Sequence, residues 1–234
     1  MNTYNEEKTK LVNKVFDKVY RKYDLMNDLM SLGVHRIWKK KLIDWMKPYP
    51  TDKIIDVASG TGDLAKIISD RNNNKNTINC VEPNSGMLET GKTKLKLYSN
   101  IKWFLSSAEK LPFKQNSFDF YVISYGIRNV SNINLCLAEA YRVLKPGGRF
   151  MCLEFSKIDN SLLNLLYQKY SKVIPIIGKF IVGSTKPYDY LVDSIDKFYT
   201  QVELVELIKK NKFTDVEFRN LSNGISAIHS GWKI

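Results

Sequence analysis

A glycine turn at residues 58–65 lies between an apolar run and a stretch of helical length. Its glycines, Gly60 and Gly62, allow a backbone to approach a ligand closely, and the acidic residue Glu82 ends the next apolar run, 22 residues after Gly60. A strand, a glycine turn, a helix and a carboxylate at the end of the next strand are typical of a nucleoside-binding unit, because the carboxylate can pair with ribose hydroxyls. The turn alone is also compatible with a strand-to-helix connection that binds nothing.

Two carboxylates flank this turn and bear on which cofactor it would hold. Asp56 precedes the turn and Asp63 follows its last glycine. A dinucleotide would place its pyrophosphate on the helix N-terminus, where two carboxylates would repel it. S-adenosylmethionine has an adenosine for the acidic strand end, and an ammonium and a sulfonium for the carboxylates. The charges therefore favour S-adenosylmethionine over NAD, although Asp63 is also an ordinary first-turn residue of a helix.

Short apolar runs alternate with stretches of helical length from Lys53 onward. The runs predict strands over 53–57, 77–81, 100–105, 118–124 and 149–154, and the stretches predict helices over 63–70, 85–97 and 135–144. This alternation requires crossover connections and predicts a parallel sheet covered on both faces, a doubly wound α/β core. Ligands of such sheets bind beyond the carboxyl ends of the strands. Four candidates fall there: Asp56, Glu82, Ala108 and Ser124.

The pattern changes on both sides of this core. The spacing of apolar residues predicts an N-terminal helical lid, or substrate-binding segment, over 1–50. After Ser156 come an amphipathic, lysine-bearing stretch, a helix and a closing antiparallel hairpin, at 162–182, 199–210, and 213–220 with 224–232. We expect one core domain over 51–234 with a helical insertion at about 157–198.

Composition excludes several classes of protein. Hydrophobic residues make up 44% of the 234 residues and charged residues 26%, which argues against a disordered chain. The net charge of +12 favours an anionic partner: nucleic acid, an acidic lipid surface or an anionic substrate. No apolar run is long enough to span a bilayer, and no secretory signal or transit peptide is readable. Cys80, Cys136 and Cys152 lack metal-binding spacing and predict buried thiols in a reducing compartment, with no metal site.

Two segments resemble the signature motifs of one family. Residues 23–38 (YDLMNDLMSLGVHRIW) and 142–156 (RVLKPGGRFMCLEFS) are similar to motifs of the ubiquinone/menaquinone biosynthesis C-methyltransferases. The resemblance runs from about Val15 to the C-terminus and includes residues 124–130 and 227–229. The first motif is the specific one, because a Leu-Lys-Pro-Gly-Gly turn before the fifth strand occurs across many class I methyltransferases.

This resemblance implies a class I S-adenosylmethionine-dependent methyltransferase: a Rossmann-like, mostly parallel seven-stranded sheet with a C-terminal antiparallel hairpin and an N-terminal helical lid. It implies C-methylation of a polyprenylated quinol, either demethylmenaquinol, 2-methoxy-6-polyprenyl-1,4-benzoquinol, or both. Cofactor contacts follow from the resemblance at Thr61, Glu82, Ser107, Ala108 and Ser124, and from the charge argument at Asp56, Gly60 and Gly62. Glu82 departs from the family, which more often has Asp there, and its longer side chain can still reach a ribose.

Three residues are candidates for the proton chemistry of carbon methylation. The reaction needs an ionised quinol hydroxyl and a base that removes the ring proton. Arg128 would stabilise a phenolate and Asn129 would hold a water as proton acceptor, as members of the family have been interpreted. The alternative for Arg128 is an ion pair with a carboxylate. His35 is either the base or a packed residue of the lid.

Four further polar residues are candidates for substrate binding: Tyr23, Asp24, Asn27 and Glu154. The first three would close over cofactor and quinol, although Asp24 or Asn27 could instead cap a helix. Glu154 either faces the site or forms a structural ion pair. The stretch 162–182 is either a core-facing surface helix or a lipid-facing entrance, where lysines meet anionic head groups and the apolar face admits an isoprenoid tail.

The expected partners follow from these interpretations. We expect a polyprenylated quinol, an anionic membrane surface that the protein binds peripherally, and either a second copy of the chain or other quinone-biosynthesis enzymes. Nucleic acid is not expected, because the lysines are scattered without an Arg-rich stripe. The expected location is the bacterial cytoplasm at the inner membrane face, with the mitochondrial matrix side as the alternative. An RNA or other small-molecule methyltransferase, a non-catalytic subunit of a quinone-biosynthesis complex and an NAD oxidoreductase remain as rival functions.

Overall fold

One sheet organises the protein in the computed structural model, which describes residues 33–158 and 185–234 together with Asp17, Asp28 and Ser31. Its seven strands within these ranges are β1 (Lys53–Val57), β2 (Thr77–Glu82), β3 (Ile101–Leu105), β4 (Phe118–Ser124), β5 (Leu144–Phe155), β6 (Thr214–Leu221) and β7 (Ser226–Trp232). They lie in the order β3-β2-β1-β4-β5-β7-β6. The first five strands pair in parallel, whereas β7 is antiparallel to both β5 and β6. Chain order reverses between β1 and β4, which makes their carboxyl ends the expected ligand site.

Six α-helices accompany the sheet in the described ranges. They are α1 (His35–Met46), α2 (Asp63–Arg71), α3 (Ser85–Lys94), α4 (Ile133–Val143), α5 (Lys186–Asp196) and α6 (Gln201–Lys210). Local capping sets several of the starts. The Asn84 and Asn132 side chains accept backbone N–H groups at the beginnings of α3 and α4, and Thr200 forms a capping box with Glu203 before α6.

Two apolar cores lie on opposite faces of the sheet. Ile54 of β1 belongs to one core with Leu42 of α1 and Ile68 of α2. Its neighbour Ile55 belongs to the other core with Leu137 of α4. Because successive side chains of a strand point to opposite faces, β1 contributes to both cores and is buried between helices. The predicted doubly wound architecture is confirmed.

The strand predictions hold within one or two residues, except at β5. This strand was expected from Arg149, but it begins at Leu144, which pairs with Phe118. Residues 145–148 then form an irregularity, because the next partner of β4 is Arg149 opposite Phe120. A Pro-Gly-Gly sequence indicates a turn. Here it lies inside a strand because the residues on both sides of it pair with β4, and the local sequence does not show this pairing.

Several other expectations can be compared with the described residues. The three cysteines are free and buried, as predicted. Among the described helices, none has the length and apolar character needed to cross a membrane. Helix α1 agrees with the helical character predicted for residues 1–50. Most of that segment, and the stretch 162–182, lie outside the described residues, so the domain boundaries stay predictions.

Candidate cofactor and active site

A cleft opens at the carboxyl ends of β1 and β4, the position expected from the topology. Four of the predicted cofactor residues line it: Asp56, Gly60, Thr61 and Ser124. The remaining walls come from the glycine turn, the start of α2, Tyr125 after β4 and Lys39 of α1. Sequence reasoning singled out neither Lys39 nor Tyr125. Tyr125 stood within a segment already matched to the family, whereas Lys39 carried no signal beyond its place directly after the first motif.

The glycine turn needs its glycines for conformation and for space. Gly60 and Gly62 have φ angles of 58° and 82°, in the left-handed region. A Cβ atom on Gly62 would lie 2.7 Å from Leu95 Cδ1 and 2.8 Å from the Trp103 ring. The turn therefore packs directly on the residues that follow α3 and on β3, and it presents its backbone to the cleft.

Glu82 holds the turn in place. Its Oε2 accepts a hydrogen bond from the Gly60 N–H at 2.8 Å, and its Oε1 accepts one from the Asn84 N–H at 2.9 Å. Burial raises the pKa of Glu82 to about 7, against the effect of these two hydrogen bonds. Each carboxylate oxygen has a second lone pair. Glu82 is buried and is not among the residues that line the cleft, so its predicted contact with a ribose hydroxyl stays a prediction.

Asp56 has a buried acceptor that none of the described residues satisfies. The residue is 1% exposed, and its Oδ2 has no hydrogen-bond partner among the described residues. Burial raises the pKa of Asp56 to about 7, and the positive charge of nearby Lys39 opposes this rise. Ser124 Oγ, on the same cleft, is likewise buried without a hydrogen-bond partner in the described structure. Unsatisfied polar atoms of this kind fit a ligand carrying hydrogen-bond donors, such as the ammonium of S-adenosylmethionine.

The structure corrects the argument from Asp63. We expected its carboxylate to repel a pyrophosphate, but two lysines neutralise it: Lys94 Nζ lies 2.5 Å from Oδ1 and Lys39 Nζ lies 3.4 Å from Oδ2. Despite burial, these contacts lower the pKa of Asp63. The cation preference of the cleft therefore depends on Asp56 and not on the pair of carboxylates.

Ser107 and Ala108 lie in the loop after β3, on the same edge of the sheet. They are not among the residues that line the cleft, and Ala108 packs into an apolar core. The neighbouring Glu109 accepts backbone N–H groups of Ser131 at 2.6 Å and Asn132 at 3.2 Å, so this loop is tied to the loop that follows β4. Contacts of Ser107 and Ala108 with the cofactor stay predictions.

Arg128 and Glu154 form a buried ion pair near the carboxyl ends of β4 and β5. Arg128 lies in a 3-10 turn (Ile127–Asn129) after β4, and its Nη1 donates to Glu154 Oε1 at 2.6 Å and to the Tyr125 carbonyl at 2.8 Å. Burial raises the pKa of Glu154, and Arg128 opposes this rise. Glu154 is 1% exposed and also accepts the Phe155 N–H at 2.9 Å. The structure thus shows an ion pair between these two residues. The pair engages Glu154, and the catalytic role of Arg128 stays a prediction.

Asn129 is oriented from two sides. Its Oδ1 accepts a hydrogen bond from the Tyr190 hydroxyl of α5 at 3.0 Å, and its Nδ2 donates to the Tyr125 carbonyl at 3.4 Å. Tyr190 was not among the candidates, because nothing in its surrounding sequence indicates that α5 packs against the turn after β4. The amide of Asn129 is fixed, and its oxygen retains capacity for a second donor.

His35 lies on α1 and is not among the residues of the cleft. Its Nδ1 is hydrogen-bonded to Ser31 Oγ at 2.8 Å, and the side chain is 2% exposed. Burial, reinforced by the charge of Lys39, lowers the pKa of His35 to about 4. These contacts favour the packing role over the role of base, which stays untested. Three other candidates, Tyr23, Asp24 and Asn27, lie outside the described residues. No cluster of potential metal ligands occurs in the described part of the chain.

Comparisons with known proteins agree with this geometry. The model of the ubiE/COQ5 methyltransferase family matches residues 1–233. A Rickettsia bellii protein named ubiquinone/menaquinone biosynthesis C-methyltransferase UbiE is 52% identical over 236 residues, covering 97% of this chain and 94% of the relative. A Brucella abortus protein of the same name is 47% identical over 234 residues, covering 97% and 87%.

Solved structures show the same fold at low sequence identity. A Thermotoga maritima S-adenosylmethionine-dependent methyltransferase, described as a possible histamine N-methyltransferase, has a TM-score of 0.68 at 20% identity, covering 95% of this chain and all of that one. A Haemonchus contortus phosphoethanolamine N-methyltransferase in complex with S-adenosyl-L-methionine has a TM-score of 0.61 at 13% identity, covering 84% and 52%. Since the family model spans nearly the whole chain and relatives about half identical span almost as much, the chain belongs to the ubiE/COQ5 methyltransferase family and is an S-adenosylmethionine-dependent methyltransferase.

Proposed function

We propose that this enzyme transfers a methyl group to a ring carbon of a polyprenylated quinol in quinone biosynthesis, with demethylmenaquinol, 2-methoxy-6-polyprenyl-1,4-benzoquinol or both as acceptor. Family membership and the names of the relatives support the reaction class. The observation that carries the proposal is the position of Tyr125. Tyr125 lines the cofactor cleft, and its backbone carbonyl accepts hydrogen bonds from Arg128 and Asn129. This connection supports a role for the candidate proton-handling pair next to the cleft that would hold the methyl donor.

We assign separate roles to Asp56 in the cleft and to residues near it. S-adenosylmethionine, when bound, supplies an electrophilic methyl group on its sulfonium. Asp56 would hold its ammonium and Glu82 its ribose. Arg128, which is always protonated, stabilises a phenolate on the acceptor, and Glu154 fixes the orientation of the guanidinium. Asn129 holds a water through Oδ1, and this water accepts the ring proton. Holding the two reactants together contributes up to about 7 to 11 kcal/mol.

Transfer of label tests this proposal. The enzyme receives methyl-labelled S-adenosylmethionine with short-chain demethylmenaquinol and, separately, with the methoxybenzoquinol. We expect label in at least one quinol, and loss of at least about 100-fold in rate for Arg128→Ala. Arg128→Lys keeps a charge beside Glu154 and reports whether folding is the cause of the loss. Arg71→Ala removes an exposed ion pair with Asp44, away from the cleft, and serves as the matched control. Label in neither quinol, with the donor still bound, would overturn the proposal.

We also propose that the enzyme acts at an anionic membrane surface on the cytoplasmic side of the bacterial inner membrane. A polyprenyl acceptor resides in lipid, and a net charge of +12 favours binding to anionic head groups. Sedimentation with vesicles tests this. We expect binding to phosphatidylglycerol vesicles that weakens at high salt, and little binding to phosphatidylcholine vesicles. Equal binding to both would contradict an electrostatic attachment.

A further inference from the structure

Lys39 is the cleft residue whose role neither the family motifs nor the candidate chemistry explain. It comes from α1, outside the alternating strand and helix pattern, and its side chain is 8% exposed. The ammonium lies beside Asp63 and close enough to Asp56 to oppose the rise in the Asp56 pKa. A lysine is seldom buried to this extent, so its charge needs compensation.

Asp63 provides only part of that compensation. The contact from Lys39 Nζ to Asp63 Oδ2 is long, at 3.4 Å, whereas Lys94 Nζ approaches Oδ1 at 2.5 Å. Two lysines therefore share one carboxylate, and this group of three carries an excess positive charge. An ammonium has three N–H donors, and Asp63 engages one donor of Lys39.

The cleft therefore presents two complementary charges. Asp56 offers a carboxylate oxygen that has no hydrogen-bond partner in the described part of the chain, and Lys39 offers an ammonium with positive charge in excess. An α-amino acid group has the inverse arrangement, with an ammonium and a carboxylate on one carbon. S-adenosylmethionine carries such a group at one end.

We propose that Lys39 binds the α-carboxylate of S-adenosylmethionine, while Asp56 binds its α-ammonium. Helix α1 thereby contributes a residue to the cofactor site and is connected to the Rossmann-like core through the bound donor. This assignment depends on the cofactor and is independent of which quinol is methylated.

Binding of two donor molecules tests the assignment without turnover. Isothermal titration calorimetry measures the affinities of wild type and of Lys39→Met for two molecules. These are S-adenosylmethionine and decarboxylated S-adenosylmethionine, which lacks only the carboxylate. For wild type, we expect the decarboxylated molecule to bind about 10- to 100-fold more weakly. For Lys39→Met, we expect a similar loss for S-adenosylmethionine and a change of less than about 3-fold for the decarboxylated molecule.

A matched variant separates cofactor binding from support of Asp63. Lys94 is the other lysine that pairs with Asp63, and Lys94 itself is not among the residues of the cleft. We expect Lys94→Met to change the affinity for S-adenosylmethionine by less than about 3-fold. Lys39→Arg keeps the charge, and we expect it to recover part of the affinity. The proposal is overturned if wild type binds both donors equally, or if Lys39→Met weakens both to the same extent while its thermal unfolding matches wild type.

Discussion

The hydroxyl of Tyr190 donates a hydrogen bond of 3.0 Å to Asn129 Oδ1, and it thereby joins α5 to the turn beyond β4. This contact leaves the Asn129 amide with one orientation, because Nδ2 donates to the Tyr125 carbonyl on the other side. If Asn129 holds the proton-accepting water, then Tyr190 is a positioning residue for it.

Removing the Tyr190 hydroxyl should slow methyl transfer without weakening the binding of the cofactor. For Tyr190→Phe we expect kcat to fall about 2- to 10-fold, since one hydrogen bond is lost, and KM for S-adenosylmethionine to stay unchanged. Tyr199→Phe changes an exposed tyrosine outside the site and is the control. An unchanged kcat in Tyr190→Phe would show that the contact is only structural.

The Arg128–Glu154 pair should dominate local stability. Glu154→Gln leaves a buried guanidinium without its counter-charge, and we expect the free energy of unfolding to fall by about 3 kcal/mol. Denaturant unfolding measures this. Glu206→Gln breaks a surface pair with Lys209 and should cost less than about 1 kcal/mol. Equal losses in the two variants would mean that the buried pair has no special role.

The elevated pKa of Asp56 should make the stability of the protein depend on pH. Folding raises this pKa from its ordinary value of 3.8 to about 7, so between these values the folded state holds a proton that the unfolded state has released. The contribution of Asp56 to stability therefore falls as pH rises from about 4 to 7. Asp56→Asn removes this effect. Its stability relative to wild type should increase by up to about 3 kcal/mol between pH 5 and pH 8, without cofactor.

Thermal or chemical unfolding of both proteins across this pH range provides the measurement. Asp44→Asn, at an exposed position on α1, is the control for loss of an aspartate. A difference between Asp56→Asn and wild type that does not vary with pH would contradict the raised pKa.

His35 should influence stability more than the pH dependence of the reaction. Its pKa of about 4 means that the imidazole is already neutral well below pH 6, so it gains or loses no proton near neutral pH. We expect His35→Asn to lose the Ser31 contact and lower the thermal midpoint, with the pH profile of kcat between 6 and 9 unchanged in shape. Disappearance of a titration near neutral pH in this variant would identify His35 as the base after all.

Much of the fold could be predicted because its signals are local. The alternation of apolar runs and helical stretches indicates the parallel strands, and the positive φ angles of Gly60 and Gly62 agree with the glycine turn. The cleft positions of Asp56 and Ser124 follow from topology, since Asp56 is the penultimate residue of β1 and Ser124 the last residue of β4, where chain order reverses.

Lys39 and Tyr190 could not be predicted in the same way. Each belongs to a helix outside the alternating pattern, and each reaches the site only through tertiary packing. The neutralisation of Asp63 was missed for the same reason, because Lys39 and Lys94 approach it from different helices. Residue type and spacing indicate charge, but they do not show which charges are already paired.

The position of β7 has a consequence for synthesis on the ribosome. The chain makes β6 before β7, yet β7 lies between β5 and β6 in the sheet. Until β7 has emerged, β5 presents an open edge and β6 has no strand to pair with. An exposed edge strand can recruit other chains, so β5 needs protection from aggregation during this interval.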